Sequence, residues 1–99
     1  MFVSGQLPVA ADGRVLHDAA FEVQARQVLD NVAAALDGAG SSVYRLLQVR
    51  VYITDIGLWP AFDAIYAQWA GDARPARAVV PVPVLHYGCS LEIEAVALA

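Results

Sequence analysis

The last quarter of the chain holds two apolar, strand-like runs that carry charge, and few folds accommodate such a pattern. They are Pro75-Ala76-Arg77-Ala78-Val79-Val80 and Leu91-Glu92-Ile93-Glu94-Ala95-Val96-Ala97. A charged side chain in such surroundings is costly unless it is paired or faces a polar site, so Arg77, Glu92 and Glu94 each require a reason. Strand side chains alternate between faces, so both glutamates lie on one face with Val96 and Leu98.

The remaining elements follow from periodicity. Phe2 to Val9 reads as a strand interrupted at Ser4-Gly5-Gln6, and Asp12-Gly13 turns it into Arg14-Val15-Leu16, a hairpin. Asp18 is placed to cap a helix from about Ala19 to Asp37, with Phe21, Ala25, Val28, Leu29, Val32 and Leu36 on one stripe. Gly38-Ala39-Gly40 ends it; a glycine run after a helix, rather than before one, does not suit a phosphate cradle. Leu47, Val49, Val51 and Ile53 alternate with Gln48, Arg50, Tyr52 and Thr54, which predicts a strand. A second helix follows, opened by Asp55 and Pro60, striped by Phe62, Ile65, Tyr66 and Trp69, and closed by Gly71. The strands 76–82 and 90–98 complete the order ββαβαββ, with Pro81 and Pro83 requiring a free side at a sheet edge or bulge. This is an α+β fold with both helices on one face of the sheet, and the other face needs a cover of its own.

Composition says what that cover is. A chain of 99 residues builds one domain, 1–99. It is 59% hydrophobic and 16% charged, against about 45–50% and about 25% in an ordinary soluble domain. So small a body cannot hide that much apolar surface, and an obligate homo-oligomer is expected. A membrane span is excluded, because the longest apolar run, 78–85, is broken by prolines and falls short of the roughly 18 residues required. With no signal peptide and a single cysteine, Cys89, a cytoplasmic protein with a free buried thiol is expected. The net charge is −4, there is no lysine, and the six arginines are scattered. That rules against nucleic acid as the main partner, since phosphate binding needs clustered positive charge. His17 and His86 are isolated and no Cys/His spacing fits a metal site, so neither metal nor cofactor is expected.

Five blocks in order, Ser4-Gly5-Gln6-Leu7-Pro8, Gln24 to Asn31, Val51-Tyr52-Ile53-Thr54-Asp55, Pro75-Ala76-Arg77 and Glu92-Ile93-Glu94-Ala95, resemble the signature of the Rid (YjgF-type) family of reactive-intermediate deaminases. The resemblance runs over almost the whole chain. It implies a chorismate-mutase-like fold, a homotrimer with sheets facing inward, and sites in the clefts between subunits. It implies hydrolysis of 2-imino acids such as 2-iminobutanoate and 2-iminopropanoate to 2-keto acids and ammonia. By the same resemblance Arg77 binds the substrate carboxylate, Glu92 positions the attacking water, and Ser4, Gly5 and Val79 line the pocket.

The residue chemistry agrees. Arginine offers a planar fork of donors to a carboxylate, each charge-assisted bond being worth about 1.5–3 kcal/mol. A carboxylate beside a bound water can orient it and take its proton, a contribution of about 10²–10⁴-fold. Other roles stay open. Arg77 can pair with Glu92, Glu94 or a neighbouring subunit's acid as interface glue, and Glu94 can share Glu92's role. His86 and Tyr87 either line the cleft or form an exposed loop. Ser4 lacks a histidine beside it and serves as a hydrogen-bond or bulge residue rather than a nucleophile.

Three departures from the family pattern bear on the pocket. The family carries a further strand and an aromatic residue ahead of the Ser-Gly-Gln block, whereas this sequence has Met1 three residues before Ser4. A cysteine common two positions after the arginine is Val79, and an asparagine of the second helix is Asp63. An acid at the cleft would disfavour an anionic substrate. Two alternatives to the deaminase follow: a non-catalytic trimer that binds small carboxylates, and a specialised enzyme of secondary metabolism on the same scaffold.

Overall fold

The computed structural model describes residues 1–99. Four strands and two helices alternate as β1 (Phe2–Gln6), α1 (Phe21–Gly38), β2 (Leu46–Ile53), α2 (Trp59–Ala70), β3 (Ala76–Pro81) and β4 (Leu91–Ala97). The sheet order is β1-β4-β2-β3. β4 runs antiparallel to both its neighbours, while β2 and β3 are parallel, with α2 as their crossover. The observed order is therefore βαβαββ, an α+β fold as expected but one strand short of the expected ββαβαββ.

The missing strand is Arg14-Val15-Leu16. The turn closes, with Ala10 N–H donating to Arg14 O at 2.9 Å and Leu16 N–H to Pro8 O at 2.9 Å, but only the bridge between Val9 and Val15 forms. Pro8 has no N–H to extend the ladder. Side chains of α1 hold this segment instead: Asn31 Nδ2 donates to Leu7 O at 3.1 Å and Val9 O at 3.0 Å. Gln24, 2% exposed, donates to His17 O and Ala19 O and accepts from Ser90 N–H.

Helix α1 buries Gln24, Ala25, Val28, Leu29, Val32 and Leu36 on one stripe. It starts at Phe21 rather than Ala19, and its N-cap is Ala20 with no side-chain bond, so Asp18 is not the cap. Its end is as the glycines indicate. Gly40 takes φ +78°, and the N–H groups of Gly40 and Ser41 return to Asp37 O and Leu36 O, the Schellman arrangement.

In β2 the alternation holds from Val49 to Ile53, but a bulge between Leu46 and Gln48 shifts the register against β4. Leu46 then takes the core position, 7% exposed, and Leu47 is turned outward, 49% exposed. One inserted residue reverses the parity of everything before it. β3 is the edge strand its prolines demand. In α2, Pro60 sits in the first turn and Phe62, Ile65, Tyr66 and Ala70 are buried, with Trp69 packed partly against them.

Both helices cover one face of the sheet, and the core lies between, built on Val28, Val49, Val51, Phe62, Leu91 and Ile93. Each such fully buried side chain contributes about 1.5–3 kcal/mol. No helix is long and apolar enough to cross a membrane. Cys89 is a free, buried thiol. The outer face carries Phe2, Val80, Val96 and Leu98, of which Phe2 is 87% exposed.

Gln24 joins α1, the loop before it and the start of β4. Gln24→Leu keeps the bulk but leaves the Ser90 N–H and two carbonyls without partners, and should lower stability by about 2–4 kcal/mol. Urea denaturation at fixed protein concentration measures it; a loss under about 1 kcal/mol would show that these bonds contribute little.

Candidate active site

The functional candidates divide between the two faces of the sheet. In the β2–β3 ladder Arg77 stands beside Val49 and Val79 beside Val51. Val49 and Val51 lie under the helices with no exposure, so Arg77 and Val79 point to the helix side. In the β2–β4 ladder Glu92 stands beside Tyr52 and Glu94 beside Arg50, on the open side. β2 also separates β3 from β4. Arg77 and Glu92 are therefore neither on adjacent strands nor on one face, and a single chain does not bring them together.

Around Arg77, α2 contributes Trp59, Asp63 and Tyr66, spaced by four and three residues and hence on one stripe. The Arg77 guanidinium carbon lies 4.8 Å from the Trp59 ring centre and 4.6 Å from that of Tyr66. Each such contact stabilises a cation by about 0.5–2 kcal/mol. Arg77 Nη1 donates to Asp63 Oδ1 at 3.0 Å. Its partner is thus neither glutamate, and the remaining donors of the fork make no hydrogen bond. Two hollows flank it: one of about 290 Å³ lined by Ile56, Trp59, Arg77 and Val79, the other of about 480 Å³ reaching Asp63, Tyr66 and Arg74. The Tyr66 hydroxyl is buried without a partner. Burial raises its pKa above the usual phenol value, Arg77 partly offsets this and Asp63 adds to it, so it stays protonated.

On the open face the two glutamates differ. Glu94 accepts from the Tyr52 hydroxyl at 2.6 Å and lies 3.6 Å from Arg50 Nη1. That hydrogen bond raises the Tyr52 pKa, with desolvation and the glutamate's charge adding to it. Glu92 has no hydrogen-bond or ion-pair partner in the chain; the residues that frame it explain why it can stand free. β1 bulges between Val3 and Gln6, so that Ser4 and Gly5 together oppose the single residue Glu94, and the Glu92 carboxylate lies on the bare Cα of Gly5. A Cβ there would collide with Glu92 Oε2. Gly5 is thus set against Glu92, while Ser4 borders a hollow of about 330 Å³ with Phe2, Arg50 and Glu94.

His86 joins Glu92, Val84 and Leu85 around a further hollow of about 370 Å³, so it lines the glutamate's side of the sheet. Tyr87 is exposed, with φ +62°. Burial, and then the Glu92 charge, push the Cys89 thiol up; it is no activated nucleophile. No three of His, Cys, Asp or Glu converge as metal ligands. Sequence reasoning missed the Trp59–Asp63–Tyr66 cradle, although its spacing is that of a single helix stripe.

The architecture and the divided arginine and glutamate define the class: a small α+β protein whose polar candidates flank one sheet. The family model described as Endoribonuclease L-PSP matches residues 1–99. Protein HMF1 of Saccharomyces cerevisiae is 33% identical over 97 residues, covering 98% of this chain and 74% of that protein. A Rid-family protein of Yersinia pestis superposes with a TM-score of 0.94 at 35% identity, over all but 1% of this chain and 79% of its own. Escherichia coli TdcF, solved with bound serine, gives a TM-score of 0.91 at 35% identity over 99% of this chain and 79% of that one. The chain belongs to the Endoribonuclease L-PSP family, the YjgF/RutC group that includes the Rid proteins.

The fit of Glu92 over Gly5 is testable by a double-mutant cycle. Gly5→Ala should destabilise the protein by about 1–3 kcal/mol, and Glu92→Ala should relieve most of that penalty. Strictly additive losses in thermal melts would contradict the contact.

Proposed function

We propose that this protein hydrolyses small 2-imino acids to 2-keto acids and ammonia, at sites formed between copies of the chain in a homotrimer. The observation that carries the reading is the unpartnered Glu92 carboxylate held over Gly5. It falls in a family block and keeps its lone pairs for water. Arg77 supplies the complementary requirement, with guanidinium donors left over from Asp63. The E. coli relative has serine bound, and a small carboxylic acid of that size suits the hollows beside Arg77.

The division across the sheet supports sites between subunits, with Arg77 from one copy and Glu92, Ser4 and Gly5 from the next. The open face, with Phe2, Val80, Val96 and Leu98, offers the apolar surface that association would cover. In the reaction Arg77 binds the carboxylate and Val79 borders the pocket. Glu92 takes a proton from water as its oxygen adds to the imine carbon. That proton passes to nitrogen to give a carbinolamine, whose hydroxyl proton is then moved by Glu92 to the nitrogen as the carbon–nitrogen bond breaks and the carbonyl forms, so that ammonia leaves a 2-keto acid. Imines hydrolyse readily in water, so the contribution of one general base, about 10²–10⁴-fold, suffices. The family description speaks of RNA cleavage, but a charge of −4 without lysine argues against nucleic acid as substrate.

One observation favours a second reading. Asp63 already holds Arg77, which leaves only part of the fork to orient a ligand for attack and so suits a trimer that binds small acids without turning them over. Calorimetric binding of a keto acid in the absence of any turnover would favour that binder.

With iminopropionate generated enzymatically, Arg77→Ala should lower kcat/KM at least about 10²-fold, Glu92→Gln about 10²–10⁴-fold, and Glu94→Gln only a few-fold. A fully active Arg77→Ala variant sinks the mechanism. Unfolding and refolding Arg77→Ala and Glu92→Gln chains together should regain about a quarter of the parent rate, because some interfaces then combine both intact halves. No regain would place the complete site within one chain.

A further inference from the structure

The proposed reaction explains why Arg77 is placed where it is, but not why an acid sits against it. Asp63 is half-exposed, with a side-chain exposure of 48%, and only its Oδ1 is engaged, at 3.0 Å from Arg77 Nη1. Arg77 is 23% exposed and fixed between two aromatic rings. Its other donors and Asp63 Oδ2 are free, and both residues border the same hollow of about 480 Å³. What reaches that hollow from the pair is a fixed dipole, positive at Arg77 and negative at Asp63; the other cation of the lining, Arg74, is engaged by the Gly71 and Ala73 carbonyls, to which its Nη1 donates at 2.7 and 2.9 Å.

Such a dipole discriminates among ligands. A plain carboxylate is attracted by the guanidinium and repelled by the neighbouring acid, so little net attraction remains. A molecule with its own carboxylate next to a cationic nitrogen can lie antiparallel to the pair and satisfy both ends with charge-assisted hydrogen bonds of about 2.7–2.9 Å. We propose that Asp63 and Arg77 together form a receptor for a zwitterion, a 2-iminium or 2-ammonium carboxylate, with Asp63 the residue that sets specificity. This rests on the reading of the site as one for 2-imino acids and narrows it to their protonated form.

The proposal also accounts for product release. Hydrolysis replaces a cationic N–H group by a carbonyl oxygen, which donates nothing to Asp63. The carboxylate and the carbonyl are both acceptors, so the keto acid loses one of the two contacts that held the substrate. Substrate and product differ at one atom, and Asp63 faces that difference.

Titration calorimetry with L-alanine and pyruvate, which share a carbon skeleton, tests this on the intact assembly. The parent should bind L-alanine at least about tenfold more tightly than pyruvate. Asp63→Asn keeps the shape and removes the charge; it should weaken alanine and strengthen pyruvate, about tenfold each, a swing near 100-fold in their ratio. Asp63→Ser gives the same comparison should the asparagine variant not fold, and Arg77→Gln should abolish alanine binding. The proposal is overturned if the ratio stays within about threefold on changing Asp63, if the parent prefers pyruvate or binds neither ligand, or if Arg77→Gln retains alanine. The two readings fail separately: an intact preference without turnover removes the hydrolase and leaves the receptor, while turnover without the preference removes the receptor alone.

Discussion

Side chains on a strand alternate between two faces, and both helices of this protein cover the same face of its sheet. That constraint sorts every candidate residue. Arg77 shares its row with Val49 and is turned toward α2; Glu92 shares its row with Tyr52 and is turned away. No side-chain rotation carries a residue through a sheet, so the two charges that stand out in the sequence are held apart by the backbone itself. Chemistry that uses both needs a second copy of the chain. The surface that would receive that copy, with Phe2, Val80, Val96 and Leu98, is also the apolar surface that the chain cannot bury alone. In the proposed assembly one association covers the face and completes the site, which ties catalytic competence to oligomer stability.

Much of this fold is legible in the sequence, because period and punctuation carry it. The stripe of α1, the glycine-ended cap at Gly40, the core alternation from Val49 to Ile53 and the proline-marked edge strand all result from local rules. What is not legible is decided by distant partners. Whether Leu46 or Leu47 enters the core depends on a bulge set by pairing with β4, and both residues are leucine. Arg14-Val15-Leu16 has a strand's composition, but the α1 side chains of Gln24 and Asn31 already engage the carbonyls around it. The pairing of β4 with the far side of β2 from β3 leaves no local mark, and it puts a strand between Arg77 and Glu92. In the site, the approach of Glu92 to Gly5 likewise leaves no local mark in the sequence, since it depends on the bulge in β1. The Trp59–Asp63–Tyr66 cradle was readable from helical spacing, but an aromatic stripe looks the same whether it packs a core or holds a cation.

Three carboxylates near these faces show how partners divide labour among like groups. Asp63 is spent in part on Arg77. Glu94 is fixed by Tyr52 and approached by Arg50. Glu92 alone is left without a protein partner, and the bulge at Ser4-Gly5 makes room for it. An ionised carboxylate that no donor satisfies keeps its hydration, since stripping it would cost far more than the surrounding packing returns. In the proposed reaction that hydration is the reagent. The feature that makes Glu92 unremarkable as a stabilising residue, its lack of any bond within the chain, is what suits it to hold water against an imine carbon delivered by the neighbouring copy's arginine.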